Sequence, residues 1–498
     1  MEKKSNLVLD VEDSPKKVHE WLLFAIQHVL AMLVACITVP LLTGLPVAAT
    51  IVSAGIGTFI YIFLTKGKSP VFLSSSFAYI APMLSALQVG LIGGATGMNY
   101  AAIMIGMVFV GIVYCVFALI IKKTGTKWLN KILPPIIVGP VIMVIGLSLA
   151  GSAISNITST PAIDGVSMKY NWISLISGLV ALFATAFASH YGKKMIALIP
   201  FIIGMGSGYL VAVLFTLIGY YGCGNDYFRV VDFSALINIF ENVDFSSFFN
   251  YKLFIPNDPQ SFIFLRFEEI AKFDWAAIGA VALLFIPVSL VTMCEHIGDH
   301  ENLGNIIDRD LLNGEPGMAR TLSGDGIATA VSGVLCGAAN TTYGENVAVI
   351  GMTKIASTKV VLLAAIFSIL IGFFTPFTAL LQTIPGSVTG GVSLILYGFI
   401  ASSGVKMLIK EKVDLGNSKN IFIASAILVA GIGGLTFKFG NPDSPAITIT
   451  SVAVAMILGI ILNLVLIDKK QKEEKQPEIL TSSTIQIDTI KNESEEVK

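Results

Sequence analysis

Charged side chains are scarce in this chain of 498 residues. They make up 13% of it, and 54% of its residues are hydrophobic; a soluble globular domain carries about 25% charged residues. That balance excludes a water-soluble globule and places the chain in a lipid bilayer. None of its five cysteines (Cys36, Cys115, Cys223, Cys294 and Cys336) pairs with another at metal-ligand or redox spacing. They read as apolar packing residues, with only Cys223 in an evident loop. A net charge of −1 with no basic stripe leaves nothing to hold nucleic acid. No small-residue cleavage site follows the first apolar run, which therefore reads as a retained membrane segment and not a signal peptide.

What the chain does have is apolar length. Runs of about 17 to 25 residues, each able to cross about 30 Å of hydrocarbon, recur from Trp21 to Ile467. They predict an all-α polytopic membrane protein with fourteen transmembrane segments, some short and interrupted. Residues 1–18 and 468–498 read as solvated, flexible tails. With the N-terminus placed in the cytoplasm and loops assigned alternately, 26 of the 32 basic residues fall inside. That bias predicts an even number of spans, both termini cytoplasmic, in the cell (plasma) membrane.

A polar stretch at 221–275, with Asp226, Asp232, Glu241, Asp244 and Pro256-Asn257-Asp258-Pro259, reads as an extracytoplasmic loop between two halves, 19–220 and 276–467. The halves echo each other. Leu133-Pro134 with Val138-Gly139-Pro140-Val141 matches Ile384-Pro385 with Thr389-Gly390-Gly391-Val392, and Ser75-Ser76-Phe77-Ala78 matches Thr341-Thr342-Tyr343-Gly344. Seven spans per half is an odd number, so the second half enters from the opposite face. Inverted repeats meeting at interrupted helices are an architecture of secondary transporters.

Asn340-Thr341-Thr342-Tyr343-Gly344-Glu345-Asn346 sets a carboxylate inside an apolar run. An acid there is expensive to insert and marks a functional site or a helix cap, and the small polar residues around it predict a broken helix. A carboxyl in a low dielectric holds its proton more readily than one in water, which suits proton exchange. Glu295 closes the apolar run that starts at Ala276. If the helix continues through Ile307 it is about 48 Å long, and Glu295 then lies near mid-depth instead of at the surface. Asp299 follows one turn later on the same face. His296 and His300 share a helical face, but the metalloprotease pattern needs Glu directly after the first His and no third ligand is nearby. A metal site is not expected.

His28, beside Gln27 early in the first span, reads as a buried, hydrogen-bonded histidine or a member of the substrate site. Phe77 and Tyr343, at matched positions beside the two breaks, could sandwich a flat ring, with Tyr397 closing the pocket. Ser74, Ser75 and Ser76 would leave backbone N–H groups free for a polar ligand edge. Carboxylates and aromatic rings without a buried Arg or Lys suit a neutral planar solute with N–H donors. No cofactor is expected beyond a coupling ion, with the proton first and sodium as the alternative.

Three segments, Ser75 to Met83, Glu295-His296-Ile297-Gly298, and Asn340 to Asn346 running on to Lys354, resemble the nucleobase–ascorbate transporter family, and within it the bacterial uracil permeases. The likeness runs from Gln27 to the last span. It implies a core domain of spans 1–4 and 8–11, a gate domain of spans 5–7 and 12–14, and short antiparallel strands in broken spans 3 and 10. It further implies that Glu295 and Glu345 bind the N–H and carbonyl edge of uracil, that the amides of Phe77 and Gly344 meet its carbonyl oxygens, and that Ala35, Tyr343 and Tyr397 line the ring. Proton coupling would fall to Glu295, Glu345, Asp299 or His28. A homodimer fits such an architecture. Purine members of the family usually carry Gln where Glu345 stands, which favours uracil over xanthine or another nucleobase. An anion exchanger of related architecture is the more distant alternative. The chain departs from the family pattern at Ala348, usually Gly, and at Asp299, often His in uracil permeases.

Overall fold

The computed structural model describes residues 7–87, 99–125, 128, 132–161, 168–193, 196, 199–234, 236–237, 270–271, 273–441 and 444–466. Most of the 221–275 loop and the whole 468–498 tail lie outside the described residues. The chain is mostly helical. Among the described residues, eight helices are long and apolar enough to cross a membrane, or nine if a pair bent by 72° counts as one span.

Helices α1 (Val18–Thr43) and α2 (Val47–Leu64) lead into a three-residue strand, β1 (Leu73–Ser75), a 3-10 turn (Phe77–Tyr79) and the short helix α3 (Ile80–Ala86). Then come α4 (Tyr100–Thr124), α5 (Pro135–Ser148), α6 (Ala150–Thr158), strands β2 (Ser159–Pro161) and β3 (Met168–Tyr170), α7 (Trp172–Tyr191) and α8 (Pro200–Phe215). The second half holds α9 (Ile278–Ile307), α10 (Met318–Val334), β4 (Asn340–Thr342), α11 (Gly344–Thr353), α12 (Thr358–Phe373), α13 (Thr375–Gln382), α14 (Gly386–Lys410) and α15 (Ser418–Ile432). Strands β5 (Phe437–Asn441) and β6 (Ser444–Ile449) and helix α16 (Ser451–Val465) complete it. The all-α expectation is corrected by the pairs β2–β3 and β5–β6, antiparallel strands close in sequence whose backbone groups bond each other between helices.

The helices pack in two groups. In one, α10 lies chiefly against α4 and α2, α12 against α2, and α9 against α4. In the other, α14 packs on α5, α6 and α7, α8 on α7, and α15 on α5 and α16. The lipid phase offers no hydrophobic drive between helices, so close approach at small residues does this work. A Cβ added at Gly326 would sit 2.4 Å from the Tyr114 Cβ, and one at Gly111 2.7 Å from the Gly326 carbonyl oxygen; α4 and α10 touch because these positions are glycine.

The N-terminal tail is not free. The N–H of Val8 donates to the Lys354 carbonyl at 2.8 Å, Ala356 N–H donates to the Leu9 carbonyl at 2.8 Å, and Thr358 N–H to that of Val11 at 3.0 Å. Asp10 pairs with Arg309 at 2.9 Å and Glu12 with Lys68 at 2.5 Å, and the Val11 side chain is fully buried. The expectation of a solvated tail fails over residues 7–14, which form a strap across the ends of α2, α9, α11 and α12. A short polar stretch looks disordered by composition, but here its backbone completes hydrogen bonds that the α11–α12 turn leaves open.

Candidate functional site

The site is built on a strand pair. β1 and β4 run antiparallel with Leu73 opposite Thr342, Ser74 opposite Thr341 and Ser75 opposite Asn340. Each strand opens directly into a helix: β1 through the turn at Phe77 into α3, and β4 through Tyr343 into α11. A spanning α-helix satisfies its own backbone. A helix broken at mid-span exposes N–H and C=O groups that need partners, and here the two breaks supply them to each other. Beyond the ladder, the Ser76 N–H donates to the Ala339 carbonyl at 2.8 Å. The expectation that Ser74–Ser76 leave their N–H groups for a ligand is therefore corrected. The amides that start a helix, at Phe77 and Gly344, are the ones without an intrahelical partner.

The acids gather around this break. Glu345 lies in the first turn of α11, where the positive end of the helix dipole favours an anion. α9 is continuous for 30 residues, so Glu295 sits about 26 Å from its first residue and about 18 Å from its last. It is mid-helix, yet its side chain is exposed, and Asp299 and Glu345 are half-buried. Glu295 lies within electrostatic reach of Asp299, Glu345 and Asp325. A Cβ on Gly344 would meet Asp299 Oδ1 at 3.4 Å, so Asp299 stands over the start of α11. Its Oδ2 is buried, with no hydrogen-bond partner among the described residues.

Two of the three aromatic candidates flank the same break. Phe77 and Tyr343 are buried beside the two strand ends, and Tyr397 of α14 is buried in the other helix group. The Tyr343 hydroxyl has no partner among the described residues, and the Tyr397 hydroxyl is near Ser393 and Ser152 but beyond hydrogen-bond distance. Ala35 is fully buried on α1, next to Cys36, whose sulfur contacts the Ser74 hydroxyl at 3.4 Å. His28 is buried, its Nδ1 2.7 Å from Asn346 Oδ1. Asn346 offers only an acceptor there, so Nδ1 carries the proton and fixes the start of α11.

Sequence reasoning missed Asp325. It is fully buried on α10, 2.7 Å from His296 Nδ1, and its Oδ2 accepts from the Thr341 hydroxyl at 3.3 Å. The Thr321 hydroxyl donates to the Met318 carbonyl at 3.1 Å and so accepts from His296 Nε2–H, also at 3.1 Å. Asp325 and His296 therefore share one proton, and the pair holds β4 from below. Thr329 donates to the Asn340 carbonyl, and the Asn340 side-chain amide donates to the Ser53 carbonyl at 2.9 Å. His300 faces elsewhere: its Nδ1–H donates to the His296 carbonyl at 2.8 Å, leaving Nε2 to accept from Tyr61 at 2.6 Å. The available signal was Asp325 between Gly324 and Gly326, four residues from both Thr321 and Thr329 on one helical face.

Residues 19–440 match the sequence family described as "Permease family". The uracil permease of Bacillus caldolyticus is 40% identical over 467 residues, covering 94% of this chain and 96% of that protein. That of Bacillus subtilis (strain 168) is 34% identical, covering 94% and 98%, and that of Escherichia coli (strain K12) 34%, covering 89% and 90%. The transmembrane domain of the cyanobacterial bicarbonate transporter BicA superposes with a TM-score of 0.58 at 12% identity, covering 91% of this chain and 99% of that one. Murine Slc26a9, an anion transporter, gives 0.59 at 10% identity, covering 91% and 68%. At such identities the two structures share the fold alone.

Proposed function

The chain belongs to this permease family, the nucleobase–ascorbate transporters, and on that premise we propose that it imports uracil together with a proton. It is a membrane transporter and not an enzyme. The observation that carries the reading is the antiparallel pairing of β1 with β4, which sets two helix starts, Glu345 and Asp299 around one break opposite Glu295. Uracil presents N–H donors flanked by carbonyl acceptors along one edge. Carboxylates at Glu295 and Glu345 accept from the N–H groups, the amides of Phe77 and Gly344 donate to the carbonyls, and Tyr343 and Tyr397 bracket the ring. Glu295, Glu345 and Asp299 are the proton carriers, and His28 positions Asn346.

Counting each strand with its half-helix as one span, and α5–α6 and α12–α13 as one each, gives fourteen. β1–α3 is then third and β4–α11 tenth, the order two inverted halves would produce. In this reading the group around α10 is the core and the group around α14 the gate. Both termini lie in the cytoplasm, and one group moves against the other to expose the site to each side in turn.

Glu345→Gln is expected to abolish uptake of labelled uracil by intact cells or vesicles, and wild-type uptake by that variant would refute the assignment. Competition with unlabelled bases tests the substrate: stronger displacement by xanthine than by uracil would move the reading to a purine. A protonophore is expected to collapse accumulation in vesicles; accumulation that survives it and follows a sodium gradient overturns the choice of ion.

A further inference from the structure

We propose that a groove at one end of the first helix group binds a phospholipid with an anionic headgroup. The groove lies between the C-terminal ends of α2 and α4 and the N-terminal end of α10, and encloses about 850 Å³, within the range of about 300–1,000 Å³ typical of ligand sites. Lys66, Lys122 and Arg320 line it, and no acidic residue does. All three are exposed, and none forms an ion pair with a described residue. The apolar wall carries Phe63, 82% exposed, and Leu119, 63% exposed. Rings and aliphatic chains left that open on a spanning helix face hydrocarbon.

The two halves of the lining ask for the two halves of one molecule. Three cations, unpaired with any acid among the described residues, attract a phosphate at the headgroup level. The apolar wall next to them gives acyl chains a surface, and gives a soluble anion nothing. None of the lining residues belongs to β1 or β4 or is one of the acids around their break, so occupancy is a property separate from uracil recognition, and its test does not depend on transport.

The test is native mass spectrometry of the full chain in detergent, titrated with dioleoylphosphatidylglycerol and, separately, dioleoylphosphatidylcholine. The wild type is expected to prefer the anionic lipid. Replacing Lys66, Lys122 and Arg320 by Gln together should weaken that binding about a hundredfold, each juxtamembrane cation contributing somewhat less than a decade. Lys66→Gln alone, a surface change, should give a partial loss and serves if the triple variant folds poorly. A control with Lys406→Gln, Lys412→Gln and Lys419→Gln, equal in charge but outside the groove, should bind as the wild type does. Equal affinity for both lipids, an unchanged affinity in the groove variants, or the same loss in the control would overturn the proposal. Displacement of the lipid by equimolar sn-glycerol 3-phosphate would also overturn it, by assigning the site to a free phosphate.

Discussion

At Asp325 a single carboxylate decides how a strand is held. Its shared proton with His296 and its bond from Thr341 place β4 against α10, so removing it leaves His296 Nδ1 buried and alone. Asp325→Leu is expected to destabilise the protein by about 1–3 kcal/mol, the usual penalty of an orphaned buried polar group. Adding His296→Leu should recover much of that, because an apolar pair leaves no group unsatisfied. Thermal unfolding of the two variants checks the order, and a double variant weaker than the single one would refute the shared-proton account. Asn346→Leu, which strips His28 of its partner, should cost a similar amount and lower uracil uptake. The positions of Glu345 at a helix start and Glu295 within a long helix were legible, because an acid in an apolar run stands out against its neighbours. Asp325 was not, because Arg320, Ser323, Gly324 and Gly326 make its stretch polar enough to pass for a loop, and only the packing of α10 between α2 and α4 shows it buried.

Among elements, the close contact of α4 and α10 and the strap make different demands. Gly326→Ala places a methyl against the Tyr114 Cβ, which cannot swing away; overpacking of about 1–3 kcal/mol is expected, read as a lower unfolding midpoint. The strap combines one buried side chain, Val11, with exposed ion pairs. Val11→Asp should therefore lower the midpoint far more than Asp10→Asn, since surface pairs are worth about 0–1 kcal/mol. The hydrogen bond from Lys68, and next its charge, hold the Glu12 carboxyl below its ordinary value. A depressed carboxyl contributes above its unfolded pKa and loses that contribution as pH falls through the folded one. The Glu12 contact should thus persist at neutral pH and release in acid, followed by protease access to residues 7–14. Long apolar helices were readable from composition, and so was the reach of α9 to Ile307. The strap was not readable: its bonds depend on carbonyls and amides near residue 354, which no local pattern reveals.

For the whole molecule, the two packing groups set what uptake must look like. They meet mainly through α1 and α9, and α9 carries Glu295 and Asp299, so under the proposed function a substrate at these acids would feel any sliding of one group on the other. On the fourteen-span reading, long apolar helices are fewer than crossings for two reasons: β1–α3 and β4–α11 are each divided between a strand and a short helix, and α10, α15 and α16 have only 15 to 17 residues. The strap has a consequence for synthesis. Residues 8–11 find their partners at 354–358, so during synthesis this stretch stays unmatched while some 340 residues follow it, roughly 20 to 70 s at usual elongation rates. Nascent chains halted before Lys354 should leave residues 8–11 open to cleavage, and chains released after Lys359 should protect them.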